Sequence, residues 1–241
     1  MTTILDLHGV SKDYRGLRPL RIERLTVAGG EHVALLGLDQ ASAEVFINLV
    51  TGATLPDAGH VHVFGRPTSA IADSADWLAT VDRFGIVSER AVLLEPLTVI
   101  QNLAMPFSLE IEPPSDEVRA QAEGLAAEVR LPKDSWTRPV ADLDAAGRAR
   151  VRLGRALALN PAVLVLEHVS ARLDTATAGR LAAEVRATAA RRGVALVAAT
   201  ADEAFARAVA GRVLRWEPAT GKLTEQRRWF RWYEDAHPFR H

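Results

Sequence analysis

Three short stretches of this chain are almost wholly apolar: Val33–Leu36, "AVLVLEH" at 162–168 and "GVALVAAT" at 193–200. Runs this short and this continuously hydrophobic suit strands buried on both faces of a parallel sheet. The first precedes a helix pattern from Ser42 to Val50, with Val45, Phe46, Leu49 and Val50 on one face. The second and third flank another, about 175–191. A β–α–β order implies a crossover connection and an α/β fold. The 241 residues suffice for one large domain, or for one domain carrying an inserted subdomain.

The remaining segments read around that centre. Residues 3–35 contain short strands, and "LRIERLTVAGGEHVALLG" alternates, turns at Gly29-Gly30 and then becomes apolar. "LPDAGHVHVFGRP" supplies a turn and a strand, and 83–88 another strand. From about 98 to 158 the pattern is mostly helical, interrupted at Pro113-Pro114 and around Pro132–Pro139. The fold class expected is therefore α/β, a P-loop NTPase-like mostly parallel sheet with an N-terminal antiparallel β subdomain and an inserted α-helical subdomain at about 90–158. The domain is expected to span 1–223. A basic, aromatic tail follows over 224–241, with Arg227, Arg228, Trp229, Phe230, Arg231, Trp232 and Tyr233. That tail either packs on its own domain or contacts a partner or membrane interface.

Composition narrows the chemistry. No cysteine is present, which removes disulfides, thiolate metal sites and a cysteine nucleophile. Basic and acidic residues number 29 and 30, so no global charge attracts nucleic acid. The N-terminus lacks the pattern of a signal peptide, and no apolar run reaches the ~18–20 residues of a membrane span. A cytoplasmic protein, peripheral to the inner face of the membrane through a partner, is the expectation. His60 and His62 share one strand face at a spacing suited to two metal ligands, but no third ligand is evident in sequence. A solvated strand face is the better account of them, and no metal site is expected.

The order and spacing of the landmarks resemble the nucleotide-binding domain of ABC transporters, from residue 3 to about 223. The P-loop of that family reads G-x-x-x-x-G-K-[ST]: its glycines let backbone amides surround phosphate, its Lys reaches the β- and γ-phosphates, and its hydroxyl holds Mg²⁺. Here the loop region is "GLDQASAEVFINLVTG", with Gly37, Leu38, Asp39, Gln40, Ala41, Ser42, Ala43, Glu44 and Val45. Ser42 stands at the second Gly, Ala43 at the Lys and Glu44 at the Ser/Thr. Tyr14, ending "LDLHGVSKDY", matches the aromatic that stacks on adenine, or is a half-buried strand residue. "FGIVSERAVLLEPLTVIQNLAMPF" resembles the Q-loop region, with Glu89 at the Gln, and is similar to versions in lipoprotein-releasing and macrolide-export transporters. Leu143, Asp144, Ala145, Ala146 and Gly147 occupy the L-S-G-G-Q signature, where Asp144 suits an N-cap. Arg150 and Arg155 match the helix that follows. "AVLVLEHVSARLD" matches Walker B and the D-loop, with Glu167 and His168 at the Asp and Glu, and Asp174 at the D-loop Asp. Ala201 takes the place of the switch His.

The resemblance implies an ATP/Mg²⁺ site; the residues imply that binding is absent or very weak. At ~4 Å and an effective dielectric of about 20, one charge pair is worth on the order of 4 kcal/mol before screening. Exchanging Lys for Ala and adding Glu44 works against phosphate with that magnitude, and a micromolar site represents only about 8 kcal/mol in all. The helix N-terminus then needs another partner: Ser42 as N-cap, helped by Glu44 or Asp39. His168 is either a histidine with a locally bonded ring or a base for residual hydrolysis beside a Glu167-held metal. The leading expectation is a non-catalytic ABC-type subunit. It would associate with a membrane permease and form a homodimer or a heterodimer with another ABC ATPase subunit. Alternatives are an active ATPase with atypical motifs and a cytoplasmic scaffold or regulator without a transport role.

Overall fold

In the computed structural model of the chain, which describes residues 2–226, the alternating N-terminal pattern forms two long antiparallel strands, β1 (Thr3–Lys12) and β2 (Leu20–Ala28). β4 (Ala58–Val63) pairs with the other edge of β1, and the two-residue β5 (Arg66–Pro67) closes a four-stranded antiparallel sheet of order β2-β1-β4-β5. One face is apolar, with Leu5, Leu7, Val10, Ile22, Leu25, Val61 and Val63 buried, and the other is polar.

The continuous apolar runs become β3 (His32–Leu36), β7 (Val163–Glu167) and β8 (Ala195–Thr200). With β6 (Phe84–Ser88), β9 (Arg212–Trp216) and β10 (Leu223–Glu225) they form a six-stranded sheet of order β10-β9-β3-β8-β7-β6, parallel except for β10. Alternate residues feed two cores. Val33, Leu35, Val163, Val165, Val197 and Leu214 meet the antiparallel sheet and α1 (Gln40–Val50). Ala34, Leu36, Leu164, Leu166, Leu196 and Ala198 meet α5 (Ala145–Leu157), α6 (Thr175–Arg192) and α7 (Glu203–Val209). Burial on both sides is why these strands are apolar at every position.

Between β6 and β7 lies the helical region. α3 (Val99–Ala104) starts at a Thr98/Gln101 capping box, and α4 (Asp116–Glu128) at Ser115. Pro132 and Pro139 precede 3₁₀ turns at Lys133–Ser135 and Val140–Asp142, while Pro113-Pro114 lie just before α4. Arg192, at the end of α6, bonds both Glu128 carboxylate oxygens at 2.7 and 2.6 Å and the Leu157 carbonyl at 2.7 Å, fastening α4 and α5 to α6.

Several boundaries differ from the sequence reading. α1 starts at Gln40, not Ser42, because its cap lies earlier. α2 (Ser74–Val81), α7 and β9 carry patterns too short to stand out. The boundary expected at 223 falls inside β10, and the aromatic cluster from Arg227 onward lies outside the described residues.

Candidate functional site

Parallel pairing brings the carboxyl ends of β3, β7 and β8 together, the position where open α/β sheets bind ligands. After β3, Gly37 (φ 105°) donates its N–H to the Thr200 carbonyl at 3.1 Å, so the loop leaves the sheet beside the end of β8. A left-handed φ of that size favours glycine. Leu38 is buried, and Ala43, Val45 and Phe46 pack into the core beneath.

The N-cap of α1 is Asp39, which corrects the expectation that Ser42 caps it. Asp39 has extended backbone (φ −78°, ψ 178°), and its Oδ1 accepts from the Ser42 amide at 2.7 Å and the Ser42 hydroxyl at 2.6 Å. A carboxylate of the chain itself thus sits on a donor at the positive end of the helix. Ser42 side-chain and backbone hydrogen bonds, with a smaller attraction from His168, hold the Asp39 carboxyl below its ordinary range. Glu44 does not help the cap; it points to Arg90.

Glu167 ends β7 with a fully buried side chain. Gln40 Nε2 donates to its Oε1 at 2.7 Å; Arg90 Nε and Nη2 donate to its Oε2 at 3.2 and 2.9 Å. Arg90 Nη1 also lies 2.7 Å from Glu44 Oε1. One guanidinium therefore spans the helix-borne and the strand-borne carboxylate. Register explains the meeting: Ser88 of β6 is opposite Glu167 of β7, and Arg90 follows two residues later, its amide donating to the Ser88 hydroxyl at 3.1 Å.

The other expected positions lie around this centre. His168 follows β7 with φ 48°, and its Nε2 is buried without a partner, so the local bond expected of its ring is missing at that nitrogen. Tyr14 is half-buried against the core, its hydroxyl pushed up mainly by burial and secondarily by Asp39. Glu89 turns away from Glu167 and pairs with Arg172 at 3.0 Å. That cleft, lined by Ser88, Glu89, Ala149, Arg152 and Arg172, has a volume of only about 10 Å³, room for one water at most. Asp144 caps α5, accepting from the Gly147 amide at 2.6 Å. A Cβ at Gly147 would stand 3.1 Å from the Asp144 carboxylate, so glycine keeps the cap close. Leu143 is half-buried, Ala146 is buried and Ala145 exposed. Asp174 caps α6 through the Thr177 amide at 2.9 Å, and Ala201 is exposed after β8. The geometry thus joins Gln40, Glu44 and Glu167, while Glu89, Asp144 and Asp174 bond elsewhere.

Sequence reasoning missed Arg90. The signal was indirect: a glutamate ending a buried strand requires a cation or several donors. The arrangement lacks a phosphate-reaching lysine at position 43, and a single guanidinium is shared by its two carboxylates. Gln40, Glu44 and Glu167 hold oxygen ligands suited to Mg²⁺, yet Arg90 supplies the positive charge there, so the residues present do not fit a bound metal.

The chain matches the family model described as ABC transporter over residues 20–170. It is 30% identical to the methionine import ATP-binding protein MetN of Brucella abortus over 191 residues, 79% of this chain and 51% of the relative. The chain thus spans about half the length of that relative. It is 27% identical to the lipoprotein-releasing system ATP-binding protein LolD of Chromohalobacter salexigens, covering 92% of this chain and 93% of that protein. Among solved structures, cbiO1 from Clostridium perfringens aligns with a TM-score of 0.78 at 18% identity, over 93% of this chain and 88% of that one. The dimeric cassette MJ0796 bound to ADP and Pi aligns with a TM-score of 0.75 at 21% identity, over 93% and 99%.

Proposed function

Since the chain belongs to the ABC transporter family, we propose that it acts there as a non-catalytic ATP-binding-type subunit whose former nucleotide site is closed by its own side chains. The observation that carries this reading is the Glu44–Arg90–Glu167–Gln40 cluster. Both Glu167 oxygens are bonded, and the guanidinium that bonds one of them also holds Glu44. Metal-assisted phosphoryl transfer needs a cation bridging phosphate oxygens and a clamp that stabilises their charge. Neither is available without dismantling the cluster, and Asp39 adds a negative charge at the helix head where phosphate would sit.

The subunit's role is then architectural. In this proposal it pairs with a membrane permease and with a second nucleotide-binding subunit, either a copy of itself or an active homologue. Relatives named as import and lipoprotein-releasing ATP-binding proteins support the transport setting. Calorimetric titration of the purified chain with Mg-ATP tests the closed site. The expected result is no binding in the micromolar range; micromolar affinity, or phosphate release abolished by His168→Ala, overturns the reading. Purification from the native cell tests the setting, with a stoichiometric permease expected.

A further inference from the structure

Outside the nucleotide-type site, the antiparallel sheet gathers four metal-ligating side chains on its outward face. Asp6 and His8 alternate with the buried Leu5 and Leu7 of β1, and His60 and His62 with the buried Val61 and Val63 of β4. Register sets His8 directly opposite His60 and Asp6 directly opposite His62, so all four project from the same face. Three of the chain's seven histidines thus stand in two adjacent register pairs. The third ligand that the His60/His62 pair lacks in sequence is supplied by strand pairing.

The dimensions suit a single ion. Opposite Cβ atoms on antiparallel strands lie about 4.5–5.5 Å apart, and positions i and i+2 about 6.6–6.8 Å apart. An ion above the centre of that rectangle is reachable by imidazoles at about 2.0–2.1 Å after χ rotation. The His60 and His62 ring centroids are already 6.4 Å apart. No three such side chains converge in the rotamers present among the described residues; these side chains are exposed or half-buried, and free to turn. A backbone irregularity beyond His8 fixes the register. Gly9 (φ 59°) and Gly59 (φ 81°) pass so closely that a Cβ on Gly59 would lie 2.3 Å from the Gly9 carbonyl oxygen. Arg24, opposite His8 on β2, is a positive charge beside that ligand and works against a cation on that side.

We propose that His8, His60 and His62, together with Asp6, form a surface site for a divalent first-row transition ion of the Zn²⁺ class, cross-linking β1 to β4. Imidazole with one carboxylate suits such ions better than Mg²⁺ or Ca²⁺. The proposal is independent of the nucleotide reading. The test uses the untagged full chain, titrated with Zn²⁺ by calorimetry and with Co²⁺ by visible absorption. One equivalent should bind, with a rise in Tm. His62→Ala, His8→Ala and Asp6→Asn should each weaken binding at least tenfold. These exposed or half-buried positions leave the fold intact, which circular dichroism verifies. Absence of binding overturns the proposal, as does binding unchanged in His62→Ala and His8→Ala, or binding abolished by His237→Ala or His241→Ala.

Discussion

Replacing Arg90 by Ala isolates the contact on which the closed-site reading stands. Arg90 is itself about 40% exposed, while the Glu167 side chain is fully buried. Two unequal effects follow. Losing the half-exposed Glu44 arm costs about 0–1 kcal/mol, as exposed pairs do. Losing the Glu167 arm leaves a buried carboxylate with only Gln40 as donor; removal of one partner from a buried pair typically costs about 3–5 kcal/mol. With the Gln40 bond retained, about 3 kcal/mol is expected, equivalent to a fall in Tm of roughly 6–12 °C for a domain of this size. Urea unfolding of Arg90→Ala, Glu167→Gln and the double variant forms a cycle. The second substitution should recover most of the loss, because a neutral amide tolerates burial with one donor, giving a coupling of at least about 2 kcal/mol. Glu44→Gln alone should lie within about 1 kcal/mol of the parent. An Arg90→Ala cost as small as that of Glu44→Gln would refute the argument: Glu167 would then be satisfied by water, and the position would be open to a cation.

Three further outcomes are expected. Asp39→Ala should lower stability by about 1 kcal/mol through loss of the cap. Its folded pKa lies below the ordinary 3.8, so its contribution is complete above that value and is lost as pH falls through the folded one; Asp39→Asn should keep the cap yet flatten the acid limb in urea midpoints measured down to about pH 2. His32, whose imidazole is pushed below its ordinary 6.5 by burial and, to a lesser degree, by Arg186, favours the neutral form when folded. Stability should therefore decline as pH falls below that value, and His32→Gln should reduce the decline in the same assay. Gly59→Ala must accommodate both a left-handed φ and a Cβ 2.3 Å from the Gly9 oxygen; a cost of about 2–4 kcal/mol is expected in urea unfolding.

Much of the fold was legible because burial on two faces writes itself into a strand. Val33–Leu36, "VLVL" and "ALVAAT" have no polar position to spare, and the helix between the last two is bracketed by Asp174 and Gly193, whose φ of 65° ends it. α2 was not legible: all of its residues stay at least partly exposed, so no apolar face marks it. β9 is short, with buried Val213 and Leu214 followed by exposed Arg215 and buried Trp216, a pattern that a loop shares. At the site, the chain positions of Asp39, Glu44 and Glu167 were legible, but their partners were not. The cap itself is local, Asp39 accepting from Ser42, whereas the bridging guanidinium and the Gln40 amide are chosen by distances of a few ångströms between segments 46 to 127 residues apart.

That separation bears on how the proposed closure is held. Glu44 in place of a hydroxyl and Glu167 at the end of a buried strand would each be unfavourable alone: one adds charge near a second carboxylate, the other buries charge. Arg90 pairs with both at once, so the three positions form one electrostatic unit. Restoring the lysine alone, by Ala43→Lys, would not reopen the site, because Ala43 is fully buried in the core beneath α1 and the new ammonium would have to leave that core or lose its charge. On the proposed reading, closure is a property of the packed cluster. Its removal would require a change at Arg90 or its carboxylate partners rather than at position 43, and this is why the Arg90 cycle discriminates between a closed site and one that is merely depleted of phosphate ligands.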